Sequence, residues 1–393
     1  MKSNDRIDES RSVKHLMDLL AIEGPSGRER KVAEAVKSKL RAAGCKPSWM
    51  RYDQVQRKIP GDFETGNLIV KLPGTVAGKR RLFIGHMDTV PLCMGAVPLR
   101  KGQRIVSKAD TALGGDNRTA VACLVTMLET LLKRDLPHPP LTVLFTVGEE
   151  VGLWGARLVK LADLGRPGMG FNIDSGVPAE LIVGALGADR WEVHVRGKSS
   201  HAGVHPEHGI SATLIASRAI TEVEARGFFG KIRKGRQRGS PNVGRIEGGQ
   251  ADNQVTQSVR ITGESRSHDP KFVRRINEEF RKAFGRAAKS VTNHRGRHGS
   301  AHFKATTSYA PFKLDPKSEV VAQAKAAARS LGLRPKLIAA DGGLDANWLN
   351  ARGLPTVTFG AGQHSPHTEE EYVDLREYLD GCRLAVTLAG GGG

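Results

Sequence analysis

The sequence predicts an α/β protein that carries an inserted α+β domain. Apolar runs at residues 82–84, 141–147 and 169–173 each end in a polar cluster, which is typical of buried strands that reach the edge of an α/β sheet. Residues 191–196 instead alternate apolar and polar side chains, which is typical of a half-exposed antiparallel strand. The chain has 393 residues, more than one ordinary core accommodates, so we expect two domains.

The α/β pattern occupies both ends of the chain. Ser26 is a candidate cap for the second helix, and Gly44 is a candidate end for it. Apolar residues at helical spacing and β-branched runs indicate the other elements. The predicted helices cover residues 13–20, 26–43, 119–132, 319–331 and 346–350, and the predicted strands cover residues 67–72, 82–84, 141–147, 169–173, 337–340 and 356–359.

The middle of the chain follows a different pattern. A strand and a helix are succeeded by two strands, a basic helix and a last strand, at residues 191–196, 209–224, 242–247, 255–264, 272–288 and 301–308. This β-α-β-β-α-β order is that of the split βαβ sandwich. We therefore assign residues 188–312 to an inserted domain and residues 1–187 and 313–393 to the main domain.

The formal net charge of +19 raises the question of an anionic partner. The basic side chains concentrate at residues 226–238 and 274–304, both inside the inserted segment. A basic protein that binds nucleic acid is therefore a remote alternative function. No nucleic-acid-binding motif accompanies the charge, so we do not expect a nucleic-acid partner.

The sequence favours a cytoplasmic location. No apolar run is long enough for a membrane-spanning helix, and the first ten residues are polar and resemble no secretory signal. The four cysteines are Cys45, Cys93, Cys123 and Cys382, and none pairs in a CxxC motif. We expect them to be reduced, mostly buried thiols and not zinc ligands.

The first candidate site residues are His86 and Asp88, which follow the apolar run at residues 82–84. Side chains two residues apart lie on the same face of a strand, so both should project at the sheet edge. A histidine whose second ring nitrogen is held by a carboxylate is a well-oriented metal ligand. The alternative is a buried histidine with a polar neighbour.

Further acidic and histidine side chains follow other predicted strands. Asp116 precedes the apolar helix, where it could be a simple helix cap, and Asp174 follows the strand 169–173. Glu149 and Glu150 would point to opposite faces of a strand, so they must lie at a turn, which the flanking glycines permit. His367 lies in a loop after the last strand.

This set of side chains suits a pair of metal ions. Two imidazoles with several carboxylates and no thiolate favour zinc, cobalt or manganese. Asp116, Glu150, Asp174 and a hydroxide would balance the four charges of two divalent ions. A carboxylate bridging two metals about 3.5–4 Å apart is the design of co-catalytic hydrolases. One glutamate must then stay uncoordinated to accept a proton, and either Glu149 or Glu150 could do so.

Six motifs resemble the two-domain zinc metallopeptidases that include peptidase T, glutamate carboxypeptidase, aminoacylase and acetylornithine deacetylase. The motifs are Gly85-His-Met-Asp-Thr-Val90, Gly115-Asp-Asn-Arg-Thr-Ala120, Gly148-Glu-Glu-Val-Gly-Leu153, Asp174-Ser-Gly176, Ser200-His-Ala-Gly203 and His367-Thr-Glu-Glu370. The resemblance covers nearly the whole chain. It implies a catalytic domain with a mixed central sheet flanked by helices, and an inserted lid and dimerisation domain.

The resemblance also assigns roles in the metal centre. It implies two Zn²⁺ ions per subunit, with Co²⁺ or Mn²⁺ as possible substitutes. One zinc would be held by His86 and Asp174, the other by Glu150 and His367, and Asp116 would bridge them. Asp88 would orient His86, and Glu149 would be the general base. His364 is a weaker candidate for the ligand assigned to His367.

The inserted domain supplies the remaining implied site residues. His201 matches a histidine that reaches across a homodimer to stabilise the oxyanion, and Asn253 matches a substrate-binding asparagine. Arg266 matches an arginine that binds a substrate carboxylate, with Arg260 as a competing choice. Leu344 stands where the family has a small residue, so the shape of the pocket departs from the family pattern.

Two further segments of the sequence are most similar to peptidase T and its relatives. These are Gly152-Leu-Trp-Gly-Ala156 and Asp345-Ala-Asn-Trp348. The resemblance therefore implies an aminopeptidase acting on short peptides. A carboxypeptidase or an N-acyl-amino-acid deacylase is the alternative, because the chemistry at the metals is the same.

Overall fold

The computed structural model describes residues 7–390 and divides into two compact units. The main unit ends at Gly184 and resumes at Lys313, and the inserted unit is Ala185–Phe312. The inserted unit thus begins at Ala185 instead of the predicted residue 188, and ends at the predicted position.

Nine α-helices and eighteen strands are present among the described residues. The helices are α1 (Glu9–Leu20), α2 (Arg30–Ala42), α3 (Gly115–Lys133), α4 (Trp154–Leu158), α5 (Ala212–Ala225), α6 (Pro270–Ser290), α7 (Glu319–Ser330), α8 (Asp345–Ala351) and α9 (Leu375–Ala389). The strands are β1 (Met50–Tyr52), β2 (Leu68–Leu72), β3 (Arg81–His86), β4 (Pro98–Lys101), β5 (Arg104–Ser107), β6 (Leu141–Thr146), β7 (Met169–Ile173), β8 (Glu180–Ala185), β9 (Gly187–Arg196), β10 (Ile232–Lys234), β11 (Gln237–Gly248), β12 (Ser258–Ser267), β13 (Ser300–Tyr309), β14 (Phe312–Lys313), β15 (Lys336–Ala340), β16 (Thr356–Phe359), β17 (Gln363–His364) and β18 (Tyr372–Asp374).

The main unit is built on a nine-stranded mixed sheet in the order β1-β2-β6-β3-β7-β16-β8-β14, with β15 paired to β8. The four central strands β6, β3, β7 and β16 are parallel to one another. Their carboxyl ends therefore meet at one edge, where open α/β sheets place their sites. The predicted α/β fold with a mixed central sheet flanked by helices is confirmed.

Alternate side chains of β3 face two different apolar layers. Leu82 and Ile84 pack in a small cluster that also contains Leu349 and Leu354. Phe83 faces the larger core, to which helices α1, α2, α3 and α9 contribute. Because both faces of the strand are buried, the sequence reads as a continuous apolar run up to the polar residues at its end.

The inserted unit is a five-stranded antiparallel sheet in the order β10-β11-β12-β9-β13. Helices α5 and α6 share a core with it, in which the rings of Trp191 and Phe280 lie 4.7 Å apart. The elements follow the predicted β-α-β-β-α-β order, with the short strand β10 added. Among residues 7–390, no helix combines the length and apolar character needed to cross a membrane.

One predicted cap is wrong, because Ser26 does not begin the second helix. Helix α2 begins at Arg30, with Glu29 at the capping position. The hydroxyl of Ser26 instead donates a hydrogen bond to Asp88 Oδ2 at 2.6 Å. Several elements were also absent from the sequence prediction, notably the strands β4, β5 and β8 and the C-terminal helix α9.

Candidate metal centre

The carboxyl ends of the parallel strands bring the predicted metal-site residues together. β3 ends at His86, and the polar residues that follow β6, β7 and β16 lie at the same edge of the sheet. A cavity of about 310 Å³ at this edge is lined by six of the predicted side chains: His86, Asp116, Glu149, Glu150, Asp174 and His367.

Asp116 lies between the two histidines, and each of its carboxylate oxygens faces a different imidazole. Oδ1 lies 3.0 Å from His86 Nε2, and Oδ2 lies 3.5 Å from His367 Nε2. Asp116 and Asn117 have non-helical backbone angles at the start of α3, so the regular part of the helix follows them. The side chain is therefore placed as a shared metal ligand would be.

The remaining candidate ligands form two sets around Asp116. On one side, Asp174 Oδ1 lies 3.8 Å from His86 Nε2. On the other, Glu150 Oε1 lies 2.9 Å from His367 Nε2. Within each set of three residues the ligand atoms lie within 4.8 Å of one another. Because the two sets share Asp116, they have the arrangement of a two-metal site with a bridging carboxylate.

The adjacent glutamates occupy different positions, which the sequence alone left open. Glu150 contacts His367, whereas Glu149 belongs to neither set of ligands although it lines the same cavity. The chain turns here because Gly148 adopts a left-handed backbone with φ of 60°, and the N–H groups of Gly152 and Leu153 both donate to the carbonyl of Glu149. The turn thus separates a candidate ligand from a candidate base.

Asp88 is fully buried beside the metal centre. It contacts both His86 and the turn that carries Glu149 and Glu150. Its carboxylate accepts hydrogen bonds from the backbone N–H of Glu149 at 3.0 Å and of Glu150 at 3.1 Å, and from the hydroxyl of Ser26. The nearest acceptor to His86 Nδ1 is the backbone oxygen of Asp88 at 3.1 Å, with the carboxylate at 3.4 Å. Asp88 therefore holds the glutamate turn in place as well as the imidazole of His86.

Several carboxylates at this edge are buried, which makes their ionisation unfavourable. Burial raises the pKa of Glu149 and Asp174 well above the usual range, and it also raises the pKa of Glu150. Hydrogen bonds to Asp116 and Glu150 raise the pKa of His367 to about 10. Cations at this edge would stabilise the ionised carboxylates. Two imidazoles and three carboxylates in this arrangement fit a pair of divalent metal ions.

Glu29 supports the glutamate turn and was missed by the sequence analysis. Its Oε1 accepts hydrogen bonds from the N–H groups of Gly27 and Gly148, both at 3.0 Å. Burial and the nearby carboxylate of Asp88 raise the pKa of Glu29 to about 7. No sequence signal marks this residue, because its partner Gly148 lies 119 positions away in the chain.

Glu371 supports the loop that carries Asp116 and was also missed. It is buried, and it accepts hydrogen bonds from the N–H groups of Gly114 at 2.7 Å and of Asp116 at 2.9 Å. Burial raises its pKa to about 7. Its position just after the motif that begins at His367 was the one available signal.

In the inserted unit, His201 and Asn253 lie on adjacent segments. The N–H of Ala202 donates to the carbonyl of Asn253 at 2.9 Å. His201 is exposed, and its Nδ1 accepts from the N–H groups of Gly203 and Val204, both at 3.2 Å. An accepting Nδ1 places the proton on Nε2, which makes that nitrogen a hydrogen-bond donor.

The two candidate arginines are both paired with acidic side chains. Arg266 Nε lies 2.7 Å from Glu264 on the same strand, and Arg260 contacts Glu192 at 2.8 Å and Glu247. The structure therefore does not single out either arginine as one that is free to bind a substrate carboxylate. In the main unit, the weaker ligand candidate His364 is held by Glu377 and lies in neither set of ligands.

Comparison with known proteins identifies the family. A model of peptidase family M20/M25/M40 matches residues 82–390. The chain belongs to this family. It is a metallopeptidase, and the resemblance inferred from the six motifs is confirmed.

Two relatives of known sequence align over most of the chain. An uncharacterised protein of Bacillus subtilis, YqjE, is 30% identical over 97% of this chain and 98% of its own length. Peptidase T of Clostridium botulinum is 27% identical over 74% of this chain and 68% of its own.

Two solved structures have the same fold over nearly the whole length. Aminopeptidase PepT from Bacillus cereus is 31% identical, with a TM-score of 0.83 over 98% of this chain and 99% of its own. A tripeptidase from Staphylococcus aureus is 27% identical, with a TM-score of 0.86 over 98% of both chains.

Replacement of Glu29 tests the support of the glutamate turn. Glu29→Ala leaves two buried N–H groups without acceptors, so we expect it to lower the free energy of unfolding by about 2–4 kcal/mol. Glu29→Gln keeps an acceptor oxygen and should cost much less. Urea unfolding of both variants measures the difference. Equal stability of Glu29→Ala and the unaltered protein would show that Glu29 does not support the turn.

Proposed function

We propose that the protein is an aminopeptidase that acts on short peptides by means of a divalent metal pair. The observation that carries the proposal is the position of Asp116, whose two carboxylate oxygens face His86 and His367 in a cavity that also holds Glu149. The two structures described above, an aminopeptidase and a tripeptidase, support the choice of substrate class.

The metal pair is proposed to be zinc. His86 and Asp174 would hold one ion, Glu150 and His367 would hold the other, and Asp116 would be common to both. Cobalt and manganese accept the same donor set and are the expected substitutes. When bound, the pair supplies Lewis acidity to the peptide carbonyl and makes water a stronger nucleophile.

Glu149 is proposed as the general base. It lines the cavity without joining either ligand set, and Asp88 holds its backbone N–H at 3.0 Å. Its carboxylate takes a proton from the attacking water and then gives it to the leaving amine. Asp88 acts as a positioning residue for His86 and for the turn that carries Glu149.

The inserted unit is proposed to complete the site. The Nε2–H of His201 would donate to the oxyanion that forms at the carbonyl, in the manner of an oxyanion hole. A homodimer through the inserted unit would supply this histidine in trans. Asn253, which lies beside the His201 loop, is proposed to contact substrate. Arg266 is proposed to bind a substrate carboxylate in exchange for Glu264.

The alternative functions are two enzymes with the same metal site and a protein that binds nucleic acid. A carboxypeptidase or an N-acyl-amino-acid deacylase would use the same metal residues and differ in the pocket alone. Nucleic-acid binding is not favoured, because arginines of the basic segments form ion pairs within the inserted unit, as in Arg226 with Glu279 and Arg286 with Glu222.

The four cysteines are buried and unpaired, which supports the proposed cytoplasmic location.

Paired substitutions at the adjacent glutamates test the assignment of base and ligand. Glu149→Gln removes the proton acceptor alone, so we expect kcat to fall by about 10²–10⁴-fold with the metal content unchanged. Glu150→Gln should instead lower the metal content. Elemental analysis and peptide hydrolysis assays measure both effects. Full activity of Glu149→Gln would refute its role as base.

A substrate screen tests the proposed specificity. Tripeptides, dipeptides, N-acyl amino acids and N-blocked tripeptides are incubated with the protein reconstituted with zinc, cobalt or manganese. We expect tripeptides with a free amino group to be cleaved and the N-blocked forms to be resistant, because an aminopeptidase recognises the terminal amine. Preferential hydrolysis of N-acyl amino acids would favour the deacylase instead.

A further inference from the structure

A second group of metal-ligating side chains lies in the inserted unit, in the loop that follows β9. The sequence His205-Pro-Glu-His208 contains a short 3₁₀ turn at Pro206–His208. It brings His205, Glu207 and His208 together. None of these three residues has a role in the proposed aminopeptidase site. The backbone N–H of His205 donates to the carbonyl of His201 at 3.2 Å, so the group shares its loop with the proposed oxyanion donor.

Two of the donor–donor distances in this group match those of a metal coordination shell. Glu207 Oε1 lies 3.3 Å from His205 Nδ1 and 3.4 Å from His208 Nε2. The three ligand atoms all lie within 4.8 Å of one another. In tetrahedral zinc sites the bonds to nitrogen and oxygen are about 2.0–2.1 Å, so neighbouring donors lie about 3.3 Å apart. A metal ion could therefore bind with little movement of these side chains.

The surrounding structure holds the three side chains in this arrangement. The rings of His205 and His208 are stacked with centroids 4.7 Å apart, and the ring of His294 packs against His208 at 4.3 Å. The backbone N–H of His294 also donates to the carbonyl of Glu207 at 2.9 Å. Pro206 restricts the backbone at the start of the turn. The donors are thus preorganised by contacts with a second segment of the chain.

His294 is a third imidazole beside the group, and its ring packs against His208. His294 has its own partners, with Nδ1 3.1 Å from the carbonyl of Glu207 and Nε2 accepting from Arg295. It therefore supports the group without competing for the ion.

We propose that His205, Glu207 and His208 form a divalent-metal site of their own, separate from the pair in the main unit. Two imidazoles and one carboxylate favour zinc, nickel or copper over magnesium or calcium, which prefer oxygen ligands. The side chains are partly exposed, so water would complete the coordination. This inference does not depend on the proposed peptidase reaction, because it concerns binding by residues outside that site.

Equilibrium dialysis of the full chain against Zn²⁺ tests the proposal. Because a ligand is lost, we expect His205→Ala and His208→Ala each to weaken one class of bound zinc by at least about tenfold. At zinc concentrations near the dissociation constant of the unaltered site, each variant should bind less zinc than the unaltered protein does. His302→Ala, which removes an exposed histidine of the same unit outside the group, should bind as the unaltered protein does.

Copper binding gives an independent readout of the ligands. One class of Cu²⁺ in the unaltered protein should show an electron paramagnetic resonance spectrum with nitrogen hyperfine coupling, and His208→Ala should remove that class. Circular dichroism checks that each variant is folded. Zinc stoichiometry and copper spectra that are identical in His205→Ala, His208→Ala and the unaltered protein would overturn the proposal.

Discussion

The position of the Asp116 carboxylate between two imidazoles is the contact on which the rest of the centre depends. It requires the parallel alignment of β6, β3, β7 and β16, which brings residues from distant parts of the chain to one edge. It also requires the loop before α3, whose N–H groups are held by Glu371. Without this alignment, His86 and His367 would have no common partner, and the two sets of ligands would not share a residue.

Charge is the second constraint on this edge, because several carboxylates are buried close together. Arg118, which is fully buried nearby, keeps a pKa of about 10 although burial lowers it, and so remains a cation at neutral pH. Burial still disfavours the ionised forms of Asp174 and Glu150, whose pKa values are raised. Ligands that bind the folded state stabilise it, so metal binding would contribute to the stability of the main unit as well as to its chemistry.

Much of the architecture could be predicted because it depends on local patterns. The strands at 169–173 and 356–359 have the predicted bounds, and the polar residues that end such strands are the ones that line the cavity. The supporting contacts could not be predicted. Ser26 reads locally as a helix cap, yet it bonds to Asp88, and Glu29 bonds to Gly148. The two residues of each pair are far apart in the sequence and come together only in the folded chain.

The most direct test of the central claim is a crystal structure of the zinc-loaded protein with anomalous diffraction recorded at the zinc absorption edge. We expect two anomalous peaks at the edge of the main sheet, both bonded to Asp116. His86 should contact one peak and His367 the other, with Glu149 bonded to neither. A single peak at this edge, or two peaks without Asp116 as a common ligand, would show that Asp116 does not bridge a metal pair.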